Sequence, residues 1–282
     1  MILLLHFIEF NLFSRRIVTV YKDVVTDFIK KNCIFELNIE HKKMKIDYRQ
    51  PRKILVLGAS SGIGLALAQQ LTAKGHHVAV AARREEQLQT MGLPYRIIDV
   101  TKTDLLPALL QSLVEELQGM DLFILASGCG NTNRELEPSI ELATNAVNVM
   151  GFTAAADWAY TYFKEQKRGH LVAITSITGL RGIADAPSYS ASKAYQIHYL
   201  DALRTMAAKG TASIVVTDIC PGFVDTAMGQ GERAFWVAPT EKAARQIIKA
   251  IYGARKQAYV TKRWRLVAWL IRLLPDWVYN KI

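Results

Sequence analysis

The chain has 282 residues, half of them hydrophobic, and its 35 Lys and Arg against 25 Asp and Glu give a formal net charge of +10. This composition predicts a globular protein with a substantial core and excludes a disordered or disulfide-stabilised chain. Three widely spaced cysteines and six histidines without ligand spacing predict no metal site and a reducing, cytoplasmic setting. No nucleic-acid-binding module accompanies the basic charge.

The N-terminal segment differs in composition from the remainder. Residues 1–43 contain no Ala, Gly or Pro, which are frequent afterwards. We interpret residues 1–50 as an extension ahead of the folded domain, with Met44 as the natural start of the chain. The alternative is a weak membrane or targeting segment in residues 1–13, which is too short to span a bilayer and has no leading positive charge.

A glycine-rich turn follows the first predicted strand. Residues 53–57, a lysine followed by four apolar residues, are typical of a buried parallel strand, and a helix is predicted from about Ile63 to Lys74. Glycines between such elements let the backbone approach a pyrophosphate, which the helix N-terminus attracts; turn geometry alone is the alternative. The predicted dinucleotide-binding residues here are Gly58, Ser60, Ser61, Gly62, Ile63 and Gly64.

Two arginines follow the second predicted strand. Arg83 and Arg84 stand where an acidic residue would bind the ribose hydroxyls of NAD(H). An arginine instead suits a 2′-phosphate, through its charge and its planar donor groups. The sequence therefore favours NADP(H), with NAD(H) as the alternative cofactor and a solvated basic pair as the structural alternative.

A serine, a tyrosine and a lysine form the candidate catalytic group. Tyr189 and Lys193 are four residues apart and share one face of a predicted helix, and Ser176 follows a predicted strand upstream. A free tyrosine has a pKa of about 10, and a nearby ammonium lowers that pKa by stabilising phenolate. Tyr189 and Lys193 alone fit an ordinary amphipathic helix, whereas the addition of Ser176 favours proton transfer at a carbonyl or carbinol carbon.

The segment from Asp225 to Pro239 is the candidate substrate loop. Its Gly229, Gly231, Phe235 and Trp236 suggest a mobile lid with apolar side chains, and so an apolar substrate. Packing of the two aromatic residues in the core is the alternative. We expect Thr240 to be the N-cap of the helix that follows.

The C-terminal segment, residues 262–282, is predicted to be a basic, aromatic helix or tail. From residue 255 onwards the chain has seven Lys or Arg, one Asp and three of its five tryptophans. Such a helix can lie on an anionic membrane surface. Covering the substrate pocket and joining subunits are the alternatives.

The spacing of apolar runs predicts the architecture. Helical patterns separate the strands, which favours an α/β fold with a Rossmann-type, doubly wound parallel sheet in a single domain over residues 51–261. Seven strands are predicted, near residues 53–58, 77–82, 95–99, 121–127, 170–175, 212–218 and 257–261.

Together these motifs resemble the compact, single-domain short-chain dehydrogenases/reductases over roughly residues 52–260. The similarity also includes Asp99-Val100 after the third strand, Asn148 and Gly151 in a helix, and a Pro221-Gly222 pair followed by Thr226. The resemblance implies a homodimer or homotetramer and further cofactor contacts at Asp99, Val100, Gly128, Pro221, Gly222, Val224 and Thr226. For Asp99, capping of the next turn is the alternative.

The resemblance also implies roles for the catalytic group. Tyr189 is the expected general acid or base, Lys193 also holds the nicotinamide ribose, and Ser176 orients the substrate oxygen. Asn148 holds a water that connects Lys193 to solvent. One departure is that residues 125–128 read Leu-Ala-Ser-Gly where the family usually has Asn-Asn-Ala-Gly, so adenosine-side contacts are expected to be altered.

The sequence thus supports two hypotheses. The first is an NADP(H)-dependent oxidoreductase that interconverts a carbonyl and an alcohol of a small, apolar molecule. The second is a non-catalytic dinucleotide-binding sensor, or a membrane-associated adaptor, on the same fold. The intact Ser176, Tyr189 and Lys193 set favours the enzyme.

Overall fold

The structure is a computed structural model that describes residues 47–226 and 235–279. The proposed start at Met44, the targeting alternative, and Gly229 and Gly231 of the substrate loop lie outside the described residues. The described residues belong to one compact unit. In this part of the chain, no helix has the length and apolar character needed to cross a membrane.

A seven-stranded, fully parallel sheet forms the centre of the molecule, as predicted. Its strand order is β3-β2-β1-β4-β5-β6-β7. Every neighbouring pair is parallel, and the predicted and observed strand ends differ by up to three residues. The strands are β1 (Lys53–Leu57), β2 (His77–Ala82), β3 (Tyr95–Ile97), β4 (Leu122–Leu125), β5 (Arg168–Ile174), β6 (Ser213–Pro221) and β7 (Gln257–Val260).

Helices cover both faces of the sheet. They are α1 (Gly62–Ala73), α2 (Glu85–Gln89), α3 (Leu106–Glu116), α4 (Pro138–Asn145), a π-helical segment (Ala146–Gly151), α5 (Phe152–Glu165), a 3-10 turn (Ile177–Leu180), α6 (Pro187–Lys209), α7 (Thr240–Tyr252), α8 (Trp264–Leu273) and α9 (Asp276–Tyr279). This arrangement confirms the doubly wound architecture.

Alternation along the strands explains why two cores form. In β1, Ile54 and Val56 face the core under α1 and α7, whereas Leu55 and Leu57 face the core under α3, α5 and α6. Side chains of successive strand residues point to opposite faces, and a sheet covered on both sides needs apolar residues at every position. The continuous apolar run of β1 therefore specifies a central strand.

The amino-terminal edge of the sheet holds a buried polar network. The Tyr48 hydroxyl lies 2.7 Å from Nδ1 of His170, and Nε2 of His170 lies 2.8 Å from the Thr217 hydroxyl. Tyr48 also stacks on Tyr252, with ring centroids 4.5 Å apart. Burial lowers the pKa of His170 to about 3, so this imidazole is neutral in the folded protein. Since Tyr48 belongs to a core, packing begins before residue 51.

The expectation that Thr240 caps α7 is wrong. Thr240 is the first residue of the helix, and Pro239 holds the N-cap position without a side-chain hydrogen bond. The Thr240 hydroxyl instead donates to the Asp225 carbonyl at 2.5 Å. Thr240 therefore fastens the end of the substrate loop to its beginning, because the chain closes back on itself before the helix starts.

Candidate active site

A cleft of about 510 Å³ opens at the carboxyl edge of the sheet. It lies beside β1 and β4, where the strand order changes direction. In open parallel sheets this switch point is where ligands bind, because the loops that leave the two central strands diverge there. The cleft is therefore the candidate active site.

The glycine turn forms the floor of the cleft through close backbone contacts. Gly58 has φ +95°, and a Cβ on it would lie 2.4 Å from the Ser127 backbone nitrogen; a Cβ on Gly64 would lie 2.2 Å from the Gly58 carbonyl oxygen. Neither position has room for a side chain. The sequence departure at the end of β4 takes part here, since Ala126 and Ser127 supply the atoms that contact the two glycines.

The N-terminus of α1 is suited to an anion. The N-cap residue, Ser61, makes no side-chain capping bond, and the first turn has no acidic residue. The first amides of an α-helix have no intrahelical acceptor, and they carry the positive end of the helix dipole. The free amides, the helix dipole and the absence of an acidic residue thus fit the turn to a dinucleotide pyrophosphate.

Arg84 is fixed beside this turn. Its guanidinium donates to the Ser60 hydroxyl at 3.0 Å and to the Ser61 hydroxyl at 2.6 Å. Arg83 also lines the cleft. The two arginines and Ser60 therefore bring donor groups to the place where the adenosine ribose of a dinucleotide would lie.

Asp99 does not line the cleft, unlike its neighbours Ile98 and Val100. Its carboxylate accepts hydrogen bonds from the backbone amide and hydroxyl of Thr101 at 3.0 and 2.9 Å. This geometry is the turn-capping alternative considered for Asp99. Its predicted contact with the cofactor remains a prediction.

Ser176, Tyr189 and Lys193 converge at the other end of the cleft. Ser176 follows β5 and begins the 3-10 turn, where its hydroxyl accepts from the Thr178 amide at 3.2 Å. Tyr189 and Lys193 lie one turn apart on α6. The Gly130 backbone covers the Tyr189 ring so closely that a Cβ on Gly130 would lie 2.3 Å from it.

Burial sets the proton affinities of the pair. It raises the pKa of the Tyr189 hydroxyl, while the facing hydroxyls of Ser176 and Thr178 act in the opposite direction. It lowers the pKa of Lys193 to about 8. The Lys193 ammonium lies 5.8 Å from the centre of the Tyr189 ring, so the spacing of four residues provides proximity without a direct hydrogen bond.

Lys193 is held by groups behind the cleft. Its ammonium donates to the Ile174 carbonyl at 3.1 Å and to the Gln196 side-chain oxygen at 3.0 Å. The Gln196 amide donates in turn to the Asn148 backbone carbonyl at 2.9 Å. Gln196 is 1% exposed, so a buried side chain joins Asn148 to Lys193 where the resemblance led us to expect a water.

Asn148 lies behind the cleft, in the π-helical segment. Its side chain accepts from the Cys129 amide at 3.0 Å and donates to the Cys129 carbonyl at 2.7 Å and the Ser192 hydroxyl at 3.0 Å. Asn148 thereby fixes the loop after β4 to α6. Its predicted role in a proton relay remains a prediction.

The end of β6 closes the cleft against the C-terminal helix. A Cβ on Gly222 would lie 2.1 Å from the Trp264 ring, so only glycine allows this contact. Phe223, which lines the cleft, packs edge-on against Trp264 with ring centroids 5.6 Å apart. Trp264 therefore supports the wall that carries the predicted Pro221–Thr226 contacts.

The structure brings most of the predicted site residues together. Of the predicted catalytic and cofactor residues, all but Asp99 and Asn148 line the cleft. Sequence reasoning missed Gln196, Thr178 and Phe223. Gln196 could have been noticed as a polar residue one turn beyond Lys193 in the same helix.

Comparison with known proteins places the chain in a family. A family model described as short chain dehydrogenase matches residues 52–235. An uncharacterized oxidoreductase of Myxococcus xanthus is 37% identical over 184 residues, which are 61% of this chain and 72% of the relative. A putative ketoacyl reductase of Streptomyces coelicolor is 32% identical over 206 residues, 67% of this chain and 78% of the relative.

Solved structures agree on the fold. A short-chain dehydrogenase from Burkholderia cenocepacia in complex with NADP superposes with a TM-score of 0.72 at 20% identity, covering 83% of this chain and 98% of that one. Levodione reductase superposes with a TM-score of 0.67 at 18% identity, covering 75% and 96%.

Proposed function

This chain belongs to the short-chain dehydrogenases, and on that premise we propose that it is an NADP(H)-dependent oxidoreductase that interconverts a carbonyl and an alcohol by hydride transfer. One observation carries the proposal. The Ser176, Tyr189 and Lys193 side chains line the same cleft as the glycine turn, so a dinucleotide with its pyrophosphate on the turn extends towards them.

The cofactor preference rests on the arginines. A 2′-phosphate needs donors and positive charge at the ribose end of the cleft, and Arg83, Arg84 and Ser60 supply both. NADPH, when bound, supplies the hydride. NAD(H) is the competing cofactor, and Arg84 is the residue that we expect to decide between them.

The chain's own residues supply the proton. In the reducing direction, the carbonyl π electrons move to oxygen as hydride adds to carbon, and that oxygen takes the proton of the Tyr189 hydroxyl. The Ser176 hydroxyl donates a hydrogen bond to the same oxygen and orients it. The Lys193 ammonium stabilises the resulting phenolate. A positioned general acid of this kind contributes about 10²- to 10⁴-fold in rate.

The substrate class follows from the cleft and from named relatives. Gly130, Ile177 and Phe223 line the end near Tyr189 and favour a small, apolar carbonyl or alcohol. The Streptomyces relative is named a putative ketoacyl reductase, and a Mycobacterium bovis relative, 33% identical over 186 residues, is named a 3-oxoacyl-[acyl-carrier-protein] reductase. The proposal further includes a cytoplasmic location and a homodimer or homotetramer. Light scattering of the purified protein would measure the oligomeric state.

Turnover of NADPH with a panel of ketones, aldehydes and acyl thioesters tests the activity. We expect Tyr189→Phe to lower kcat by about 10²-fold or more, because the proton donor is removed. The matched control is Tyr95→Phe, which removes a tyrosine hydroxyl on β3 and should leave kcat unchanged. Full turnover in Tyr189→Phe would refute the assigned role of Tyr189. If no substrate turns over while NADPH binds, the dinucleotide-sensor alternative gains support.

Cofactor choice has its own test. We expect Arg84→Ala to weaken NADPH binding by about 10- to 100-fold, because hydrogen bonds to a charged group contribute roughly 1.5–3 kcal/mol, and to affect NADH far less. Titration of both cofactors against tryptophan fluorescence measures the two dissociation constants. Arg168→Ala, at the opposite edge of the sheet, is the control. Equal losses for NADPH and NADH would contradict a 2′-phosphate contact.

A further inference from the structure

The C-terminal helix α8 is apolar on the side that faces solvent. Trp264 and Ala268 are buried against the domain, each 1% exposed, whereas Leu266, Trp269 and Leu273 are 65%, 61% and 59% exposed. With Leu270, the exposed residues follow the i, i+3, i+4, i+7 spacing that places side chains on one helix face. The outward face therefore forms a continuous apolar stripe.

Neighbouring segments extend this stripe. Trp277 of α9 is 69% exposed. Phe235 and Trp236, ahead of α7, are each 49% exposed and contact the Trp264 ring, with centroids 4.9 and 6.1 Å away. We call the exposed side chains of Leu266, Trp269, Leu270, Leu273 and Trp277, together with Phe235 and Trp236, the C-terminal apolar surface. Large exposed patches of this kind mark interaction sites in soluble proteins.

The domain holds this surface outward. The Arg181 guanidinium donates to the Leu274 carbonyl at 2.5 Å, pairs with Asp276 and lies 4.1 Å from the centre of the Tyr279 ring. The Tyr279 hydroxyl donates to the Gly182 carbonyl at 2.9 Å. These contacts fix the segment from Leu274 to Tyr279 to the domain, and none of the exposed apolar side chains of α8 and α9 lines the cleft.

The charges around the surface indicate its partner. Lys262, Arg263, Arg265 and Arg272 are exposed along the same segment. Asp276, the one acidic residue from 255 onwards, is paired with Arg181. Arg265 and Arg272 are seven residues apart, on one flank of the stripe, and Arg263 lies on the other. A second copy would bring like charges together, whereas anionic lipid headgroups would neutralise them.

We propose that the C-terminal apolar surface binds the interface of an anionic membrane, with α8 lying in the membrane plane. The leucines and tryptophans would enter the headgroup–acyl boundary, and the flanking arginines would contact lipid phosphates. Each basic residue near such a surface strengthens binding by about fivefold. This inference stands apart from the proposed oxidoreductase activity, since it uses no residue that lines the cleft.

Co-sedimentation of the full chain with vesicles tests the proposal. We expect binding to vesicles that contain phosphatidylglycerol, little binding to pure phosphatidylcholine, and weakening by salt because the basic flanks are exposed. The double variant Trp269→Glu/Leu273→Glu should bind roughly 100-fold more weakly, since it puts charge into the apolar stripe. Leu142→Glu, an equally exposed leucine on α4, is the matched control and should bind like the parent protein.

Charge reversal separates the two contributions. Arg265→Glu/Arg272→Glu should weaken binding to anionic vesicles by about tenfold or more and leave the fold intact, as checked by circular dichroism. Undiminished binding of the Trp269→Glu/Leu273→Glu variant would overturn the proposal, because another segment would then be the anchor. The proposal is also wrong if the parent protein does not bind anionic vesicles and the Trp269→Glu/Leu273→Glu variant converts a dimer into a monomer. The surface would then be an interface between copies of the chain.

Discussion

At the scale of single residues, Gln196 changes how the candidate catalytic group works. It occupies the space between the Asn148 carbonyl and the Lys193 ammonium, where a relay would otherwise need a water. A side-chain amide has fixed donor and acceptor ends, so it positions Lys193 but does not pass protons as freely as water does. We therefore expect Gln196 to fix the orientation of the ammonium.

The pH dependence of the reduction tests this role. Because burial lowers the Lys193 pKa to about 8, the ammonium form is lost as the pH rises through that value, and kcat/KM should fall on the alkaline side. Gln196→Glu places a carboxylate beside the ammonium and raises its pKa. The alkaline limb of the pH profile should then move to higher pH.

A second variant distinguishes positioning from simple packing. Gln196→Leu leaves the Asn148 carbonyl without its partner, and we expect kcat/KM to fall about 10- to 100-fold, the effect of losing a buried hydrogen bond of roughly 1–3 kcal/mol. The Gln196→Glu variant, if folded normally, could instead keep the alkaline limb of the parent's kcat/KM profile. That result would contradict an electrostatic link between Lys193 and residue 196.

The same scale shows where sequence reasoning was insufficient. The spacing of Tyr189, Lys193 and Ser176 is a property of one helix and one strand end, so it could be read from the chain. The partner of Lys193 could not, because it depends on how α6 packs against the π-helical segment. The N-cap prediction for Thr240 was wrong for a similar reason. The loop before Thr240 comes back to its own beginning, so the Thr240 hydroxyl donates to the Asp225 carbonyl.

At the scale of elements, the contact between the 3-10 turn and α6 positions Tyr189 and Lys193. A Cβ on Gly179 would lie 2.6 Å from the Lys193 carbonyl carbon and 2.7 Å from the Ala194 nitrogen. Both are backbone atoms and cannot swing aside. The strand that ends before Ser176 and the helix that carries Tyr189 are therefore held at one separation by this glycine.

We predict that Gly179→Ala pushes α6 away from the turn. Overpacking of this kind costs about 1–3 kcal/mol, so urea denaturation should show that loss of stability, and turnover should fall with it. Gly182→Ala is the control, because a Cβ there would meet no atom within 4 Å. Equal stability of the two variants would show that the turn and α6 are not in the close contact described.

The sheet itself was the most predictable element. Residues 54–57 are apolar at every position, and only a central strand covered on both faces requires that. The sequence showed that the small residues after β4 depart from the usual pattern of the family, but it did not show what they contact. Ala126 and Ser127 lie against Gly64 and Gly58, a contact between two loops that neither loop's sequence specifies.

At the scale of the whole molecule, the buried His170 network links Tyr48, ahead of the first strand, to β5 and β6. We predict that it makes the protein sensitive to acid. The folded pKa is about 3 and the unfolded value is about 6.5, so below about pH 6.5 only the unfolded chain binds the proton. The contribution of neutral His170 to the free energy of unfolding is therefore complete above that pH. It is lost as the pH falls, by up to about 1.4 kcal/mol per pH unit.

Urea denaturation between neutral pH and about pH 5 measures this loss. His170→Gln removes the titrating group and should flatten the dependence on pH, even if it lowers stability at neutral pH. His198→Gln changes an exposed histidine and should keep the slope of the parent protein. An unchanged slope in His170→Gln would show that other groups, such as the buried His76, account for acid sensitivity.

The π-helical segment has a consequence for insertions and deletions. Residues 138–165 run through α4, the segment and α5 without a break, and a π turn holds one residue more than an α turn does. Loss of one codon between 146 and 151 would remove that extra residue and let the stretch close as a regular α-helix, so α4 and α5 would keep the faces that they present to the domain while the residues of the segment shift. The sheet would survive such a deletion, but Asn148 would lose its alignment with Cys129 and Gln196. A deletion of one residue would thus give a chain that still folds but no longer positions Lys193.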